Sequence, residues 1–248
     1  MDIRSIITSL AVVLLIQSSA PANSFTLTGY DSEQINSDYY ASGGLYDNSS
    51  VDIVSGGYVG AISAYDNSSV SVNGGNVSSL SAIYEENVST TPNTSSITMT
   101  DGGIDALFMD DQTSASIFNG TTYYVGLSGS SEMTVKGGNH TSIDVLEYST
   151  INFYGYGWSV NEYDDEMQIV GTELTMLDGY NYGYGNLSGY WADGTAWDTE
   201  IFFLEGATIN LITVSSNPPQ VVPVPAAACL AMVGIGGVGL LRRSRAMS

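Results

Sequence analysis

Basic residues are scarce in this chain of 248 residues: five Lys and Arg stand against 26 Asp and Glu, with a single His. Four of the five lie close to the termini, and only Lys136 lies in the long central part. All the acidic residues except Asp2 lie in that part as well, so the body carries 25 acids, one cation and a net charge near −24. Such a surface repels phosphates, which excludes nucleic acid as a partner.

Cysteine is rarer still, because Cys229 is the only one. A single cysteine cannot form a disulfide within the chain, so the fold must be stabilised by its core. Cys229 lies in an apolar stretch near the C-terminus, where we interpret it as a small apolar residue. The sequence also lacks the G-x-S-x-G, H-E-x-x-H and P-loop signatures of common catalytic and phosphate sites.

The N-terminal residues have the three parts of a secretory signal. Arg4 supplies the charged region, residues 6–16 supply the apolar region, and Ala20 and Ala22 flank Pro21 as an A-x-A cleavage site. We therefore predict a signal peptide over 1–22, cleavage before Asn23, and export of the protein. No cysteine lies near the cleavage point, which argues against a lipoprotein.

The C-terminal residues 222–245 contain a proline motif, an apolar run and a basic end, in that order. Residues 226–241 carry no charge and would span roughly 24 Å as a helix, just short of a bilayer's hydrocarbon core. We predict a transmembrane helix over 226–241, with the basic end held on the cytoplasmic side. An ordinary single-span anchor is the alternative. The residues of the basic end are Arg242, Arg243 and Arg245.

The tail as a whole resembles the PEP-CTERM class of bacterial sorting signals, in its VPxPA variant. The resemblance covers about 25 residues, and Val224 stands where the commonest form has Glu. It implies recognition by an exosortase, a membrane protease-transpeptidase of exopolysaccharide-producing Gram-negative bacteria. It also implies delivery to the cell surface or to the extracellular matrix. The motif residues are Val222, Pro223, Val224, Pro225 and Ala226.

The body between these ends repeats itself. The segment Tyr46-Asp47-Asn48-Ser49-Ser50-Val51 recurs 19 residues later at 65–70, and an apolar-x-apolar pair with a glycine turn follows each copy. The pair recurs at successive offsets of 19, 27, 18, 18 and 18 residues, and the long step contains a loop of about eight extra residues. The pairs are Val51/Ile53, Val70/Val72, Ile97/Met99, Ala115/Ile117, Met133/Val135 and Ile151/Phe153.

This pattern predicts short strands with one apolar face, separated by glycine corners. We therefore expect an all-β, single-stranded parallel β-solenoid (β-helix) of about six to seven coils. Ser50 and Ser69 would lie above one another. A β-sandwich is the rival architecture, but the repetition of side-chain identity favours the solenoid. The predicted domains are a signal peptide (1–22), an N-terminal cap (23–45), repeats (46–155), aromatic-rich final coils (156–214), a linker (215–221) and the sorting tail (222–245).

Two side chains in the body could serve as a base for polysaccharide cleavage. Lys136 and His140 lie on either side of a glycine corner, so we expect a solvated cation and a turn residue instead of a shared catalytic face. Glycosidases use two facing carboxylates, and 25 acids provide some pairs by chance. The candidate carboxylates are Asp110, Asp111, Glu132 and Glu147.

The sequence predicts ligand sites less specifically than it predicts the strands. Calcium is the one metal ion the acids would suit, through Asp164-Asp165-Glu166, Asp110-Asp111 and Asp193, although no known calcium-loop spacing is present. Trp158 and Trp191 belong to an aromatic-rich region that would either stack on sugar rings or fill the core of the C-terminal cap. No cofactor is expected.

From these observations we expect an exported, non-catalytic structural or adhesive protein of the cell surface or exopolysaccharide matrix. Its expected partners are an exosortase-type enzyme, the membrane before processing, and an extracellular polysaccharide. A carbohydrate-active β-helix enzyme and a carbohydrate-binding adhesin are the alternatives, and the shortage of basic residues argues against the enzyme.

Overall fold

The computed structural model describes residues 23–83, 92–162, 167–177 and 181–215, which form 17 β-strands in one mixed sheet. In chain order these are β1 (Ser24–Leu27), β2 (Ser32–Ile35), β3 (Tyr39–Leu45), β4 (Ser50–Val54), β5 (Tyr58–Ala64), β6 (Ser69–Ala82), β7 (Ser96–Met109), β8 (Ser114–Ile117), β9 (Thr121–Leu127), β10 (Glu132–Val135), β11 (Asn139–Val145), β12 (Thr150–Glu162), β13 (Met167–Val170), β14 (Glu173–Met176), β15 (Tyr182–Trp191), β16 (Ala196–Leu204) and β17 (Thr208–Thr213).

Most of the pairings are parallel and form two ladders. The first ladder joins β1, β3, β5, β6, β7, β9, β11 and β16. The second joins β2, β4, β6, β7, β8, β10, β12 and β17. Strands β6 and β7 are 14 residues long, so each contributes its first half to the second ladder and its second half to the first.

The repeat in the sequence sets the register of the second ladder. Val51 pairs with Val70, and Val70 pairs with Ile97 across the long step. The next pairings, at intervals of 18 residues, lead from Ile97 through Ala115 and Met133 to Ile151. Ser50 faces Ser69, as the sequence predicted. Equivalent residues of successive units therefore lie side by side.

Alternation along each strand produces the core. In β4 the residues Val51 and Ile53 are buried while their neighbours Asp52 and Val54 are half-buried on the other face. Because the register is in phase, each inward position becomes a column of apolar side chains that runs through the ladder. One such column consists of Ile35, Ile53, Val72, Met99, Ile117, Val135, Phe153 and Leu211, all at most 1% exposed.

The prediction of a single-stranded parallel β-solenoid, or β-helix, is wrong. Strand β15 runs antiparallel to both β12 and β16, and in this way it connects the second ladder to the first. Eight strands thereby close into a barrel of mixed directions, in the order β7, β8, β10, β12, β15, β16, β11 and β9. The closure joins edges that a stack of open parallel coils would leave unpaired.

The segment after β12 differs from the repeats in other ways. Strands β13 and β14 form an antiparallel pair, and β14 also pairs antiparallel with β17. Strand β16 pairs with β11 and β15, whereas β17 pairs with β12 and β14.

The predicted helices receive no support from the structure. No helix in the part of the chain that the structure describes is long and apolar enough to cross a membrane. The signal peptide with its cleavage residues Ala20 and Ala22, the proline motif at 222–226, the predicted span at 226–241 and the arginines at 242, 243 and 245 all lie outside the described residues.

Candidate functional site

An open groove of about 820 Å³ lies where the glycine corners of several strands meet the turn between β15 and β16. Gly102, Gly120 and Gly138 form these corners with φ of +94°, +104° and +99°. A Cβ atom at Gly102 would collide with the carbonyl oxygen of Gly75, so this corner requires glycine for space as well as for φ. The polar residues along the groove are Asp101, Asn119, Thr121, Lys136, Asn139, Asp193, Thr195 and Asp198.

Lys136, the only cation of the described body, lies on this groove between two aromatic rings. Its Nζ atom is 5.2 Å from the ring centre of Phe118 and 5.0 Å from that of Tyr154. These residues follow one another at the ends of β8 and β10 and within β12, so the ladder register brings them together. The ammonium group is thus held by cation–π contacts, as well as being exposed to solvent.

His140, the other candidate base, is in strand β11 and only 1% exposed, so the expectation of a turn residue is wrong. Its Nε2 atom lies 3.0 Å from the carbonyl oxygen of Gly137, which can only accept, so Nε2 carries the proton. Nδ1 then accepts from the Thr122 hydroxyl at 2.8 Å. Burial lowers the pKa of His140 to about 4, against an upward contribution from the Gly137 hydrogen bond. The imidazole is therefore neutral at pH 7, and both nitrogens are occupied.

The tryptophans of the region fill the interior. Trp191 is 2% exposed, donates from Nε1 to the carbonyl oxygen of Gly138 at 2.8 Å, and stacks on Trp197 with ring centres 4.5 Å apart. Trp197 in turn stacks on Phe153 at 5.3 Å and meets the edge of Trp158 at 5.9 Å. Trp191 therefore offers no open ring face to a sugar, and its packing matches the alternative role of filling the core.

The predicted carboxylates have separate local roles. Asp110 Oδ1 accepts from the backbone N–H of Asp111 at 2.8 Å within a turn, and Glu132 Oε1 accepts from Asn152 Nδ2 at 2.9 Å. Glu147 is exposed in the turn after β11. Hydrogen bonds from Thr195 lower the pKa of Asp193, which keeps this carboxylate ionised on the groove.

For calcium the structure adds no support. No group of three or more His, Cys, Asp or Glu is placed to hold a metal ion in the described ranges. Residues 164–166, which were the densest acidic candidate, lie outside those ranges. Calcium binding thus stays a prediction from sequence.

A carboxylate pair that the sequence analysis missed lies on the outer face of the first ladder. Tyr124 donates to Asp144 Oδ2 at 2.7 Å, and Tyr184 donates to Glu200 Oε1. Burial raises the pKa of Asp144 and the charge of Glu200 raises it further, whereas the Tyr124 hydrogen bond lowers it. The residues come from β9, β11, β15 and β16, so only the closure of the barrel brings them together. The only sign of this pair in the sequence is that both carboxylates occupy outward-facing positions of their strands.

Comparison of the chain with protein-family models, with curated proteins and with solved structures finds no match.

Proposed function

We propose that the protein is an exported, non-catalytic structural and adhesive protein that an exosortase-type enzyme sorts to the cell surface or exopolysaccharide matrix. The observation that carries the proposal is the in-phase repetition of the ladders. It places like side chains side by side on strand after strand, as with Ser50 beside Ser69 and Val51 beside Val70. A rigid surface with a repeating pattern suits contact with a repeating polymer better than chemistry at one point.

The environment of the two candidate bases supports a non-catalytic role. Lys136 is placed between Phe118 and Tyr154, and His140 is buried with both ring nitrogens hydrogen-bonded. A general base needs a free lone pair within reach of a substrate proton. His140 thus has no free lone pair, and Lys136 is a cation held against two aromatic rings.

The strand boundaries are compatible with processing at both ends. Strand β1 begins at Ser24, after the predicted cleavage between 22 and 23, and β17 ends at Thr213, before the predicted linker. Removal of 1–22 and of the tail 222–245 would therefore leave every described strand intact. This supports a body that remains folded after sorting.

The sorting proposal is tested by the intact mass of the protein from cells that do or do not produce an exosortase-type enzyme. We expect a mature chain that starts near Asn23 and lacks residues 242–245 only when the enzyme is present, together with recovery in the extracellular matrix fraction. A mature chain that keeps Arg242, Arg243 and Arg245 in both strains would replace sorting with a plain anchor.

An assay for new reducing ends on neutral and acidic polysaccharides separates the scaffold from the carbohydrate-active enzyme. We expect none to appear. Asp144 and Glu200 are the residues that favour the enzymatic alternative, because two neighbouring carboxylates with one raised pKa are the usual requirement of a glycosidase. If reducing ends formed and Asp144→Asn abolished them, the non-catalytic proposal would be wrong.

A further inference from the structure

A patch of hydroxyl groups lies on the outer face of the second ladder. Three adjacent strands, β6, β7 and β8, each present two outward residues with a hydroxyl group. We call this set the hydroxyl face: Ser69, Ser71, Ser96, Thr98, Ser114 and Ser116. The register aligns it in two columns, because Ser69, Ser96 and Ser114 face one another, as do Ser71, Thr98 and Ser116.

The positions of these hydroxyls are fixed by the core beneath them. The residues between the two columns are Val70, Ile97 and Ala115, which are at most 4% exposed. Adjacent strands lie about 4.8 Å apart and alternate residues along a strand about 6.7 Å apart. The hydroxyl face is therefore a grid with two constant spacings, attached to packed strands.

The hydroxyls of this face are free to bind something else. Within the described ranges none of the six side chains makes a hydrogen bond to another protein group, and each is exposed or half-buried. The neighbouring strands differ in this respect: Asp52 pairs with Gln34 and Asn73 on one side, and Asn152 pairs with Glu132 and Asn210 on the other. These carboxylate and amide groups satisfy each other, whereas the hydroxyls of the hydroxyl face do not.

The distribution of acidic residues indicates which chemical class of ligand the hydroxyl face would bind. The body carries 25 acids, yet the hydroxyl face has none, and Asp52 and Glu132 lie on the strands that border it. An acidic polymer would be repelled by these borders and by the net charge. A hydroxyl group both donates and accepts, so it can pair with the hydroxyls of an uncharged ligand.

We propose that the hydroxyl face binds a neutral, hydroxyl-rich polysaccharide whose chain lies along the columns. This inference rests on the proposed adhesive function and names the class of polymer. A single sugar would engage one position and gain little, because each net hydrogen bond in water is weak. A polymer that repeats in step with the strands engages several positions at once, and the later contacts form at high effective concentration.

The test measures depletion of the full-length protein by insoluble cellulose and chitin, with calcium pectate as the acidic polymer. Ser71→Asp combined with Ser116→Asp adds charge to the hydroxyl face. Ser42→Asp combined with Ser79→Asp adds the same charge at half-buried positions of the first ladder. Circular dichroism melts verify that both variants fold.

We expect the native protein to bind at least one neutral polymer and not pectate. The hydroxyl-face variant should lose at least about 10-fold in affinity, since it removes two hydroxyls and adds two charges, while the control stays within about two-fold. Ser71→Thr with Ser116→Thr keeps the hydroxyls and should keep the binding.

Three results would overturn the inference: equal binding by the two aspartate variants, preference for pectate, and failure to bind either cellulose or chitin. Inhibition of ice growth in the third case would mean that the grid orders water instead. If the protein is recovered in the matrix without reducing-end activity but binds neither cellulose nor chitin, only this inference fails and the proposed function stands.

Discussion

The Nδ1 atom of His140 lies 2.8 Å from the hydroxyl oxygen of Thr122 on the neighbouring strand. These two residues continue a column that is apolar in the preceding strands, where Val59, Val77 and Ile104 occupy the equivalent positions. A polar pair inside an apolar column is stable only because each group satisfies the other, with Gly137 accepting from the second nitrogen.

Stability should fall at moderately acidic pH because of His140. Its pKa is lowered from 6.5 to about 4 in the folded protein, so the unfolded chain binds the proton more readily. Above pH 6.5 His140 is neutral in both states and the free energy of unfolding has its full value. As pH falls from 6.5 toward about 4, the unfolded chain takes up the proton first, and the free energy of unfolding falls by up to roughly 3 kcal/mol. Urea unfolding at half-unit pH intervals measures this loss.

His140→Gln is the matched control for the pH experiment, since its amide can still accept from Thr122 and donate to Gly137. The variant has no group that titrates in the window, so its stability curve should be flatter than that of the native protein between pH 6.5 and 4. Parallel curves would show that carboxylates and not His140 cause the acid sensitivity.

Tyr124→Phe should destabilise the fold by about 1–3 kcal/mol at pH 7, because it leaves the half-buried Asp144 carboxylate without its donor. The pKa of Asp144, already raised by burial, should rise further. The cost falls on the ionised form of Asp144, so it should be present at neutral pH and diminish as pH falls through the raised pKa of this carboxyl, above its ordinary value. Tyr123→Phe, at a neighbour that is 70% exposed, should change little.

Gly102→Ala should be much more harmful than Gly171→Ala, although both glycines have positive φ. A methyl group at Gly171 meets nothing within 4 Å, so the cost is the backbone strain of about 1–2 kcal/mol. At Gly102 the same methyl would run into the backbone of Gly75 on the adjacent strand. Thermal melts of the two variants should differ clearly, and equal melting temperatures would mean that the corner can open.

Lys136→Met should lower the free energy of unfolding by about 1 kcal/mol, through the loss of contacts to Phe118 and Tyr154. Lys136→Arg keeps a cation over both rings and should retain most of the native stability. Since Arg and Met are both long side chains, the comparison separates charge from packing. A methionine variant as stable as the native protein would assign the contacts no energetic weight.

The alternation of apolar residues predicted the buried positions of the strands, and the spacing of the repeat predicted which residues pair. Val51 opposite Val70 and Met133 opposite Ile151 follow from sequence offsets alone. The closure did not follow, because β15 carries no copy of the repeat and its partners lie far away along the chain. Trp191, for example, bonds to Gly138, 53 residues earlier.

For the candidate sites too, the sequence predicted local features but not the contacts between distant segments. Lys136 was expected to be exposed and is, but its two aromatic neighbours belong to adjacent strands and became visible only through the register. His140 was expected in a turn, since a lone polar residue beside two glycines normally lies there. It is buried because it occupies an inward position of β11, where the ring of Trp191 from the antiparallel segment also packs against it, with ring centres 6.2 Å apart.

The in-phase register has a consequence for how such a gene can lengthen or shorten. A duplication or deletion of one 18-residue unit between β8 and β10 would move every later residue by one strand and leave each column in phase. An odd-numbered insertion within a strand would turn apolar side chains outward, whereas the 27-residue step from Val70 to Ile97 shows that extra residues between strands leave the register in phase. The closing strands β15 and β16 would still pair with the last repeats. The length of the two ladders can therefore change during evolution by one strand spacing at a time, while the closing segment keeps its sequence.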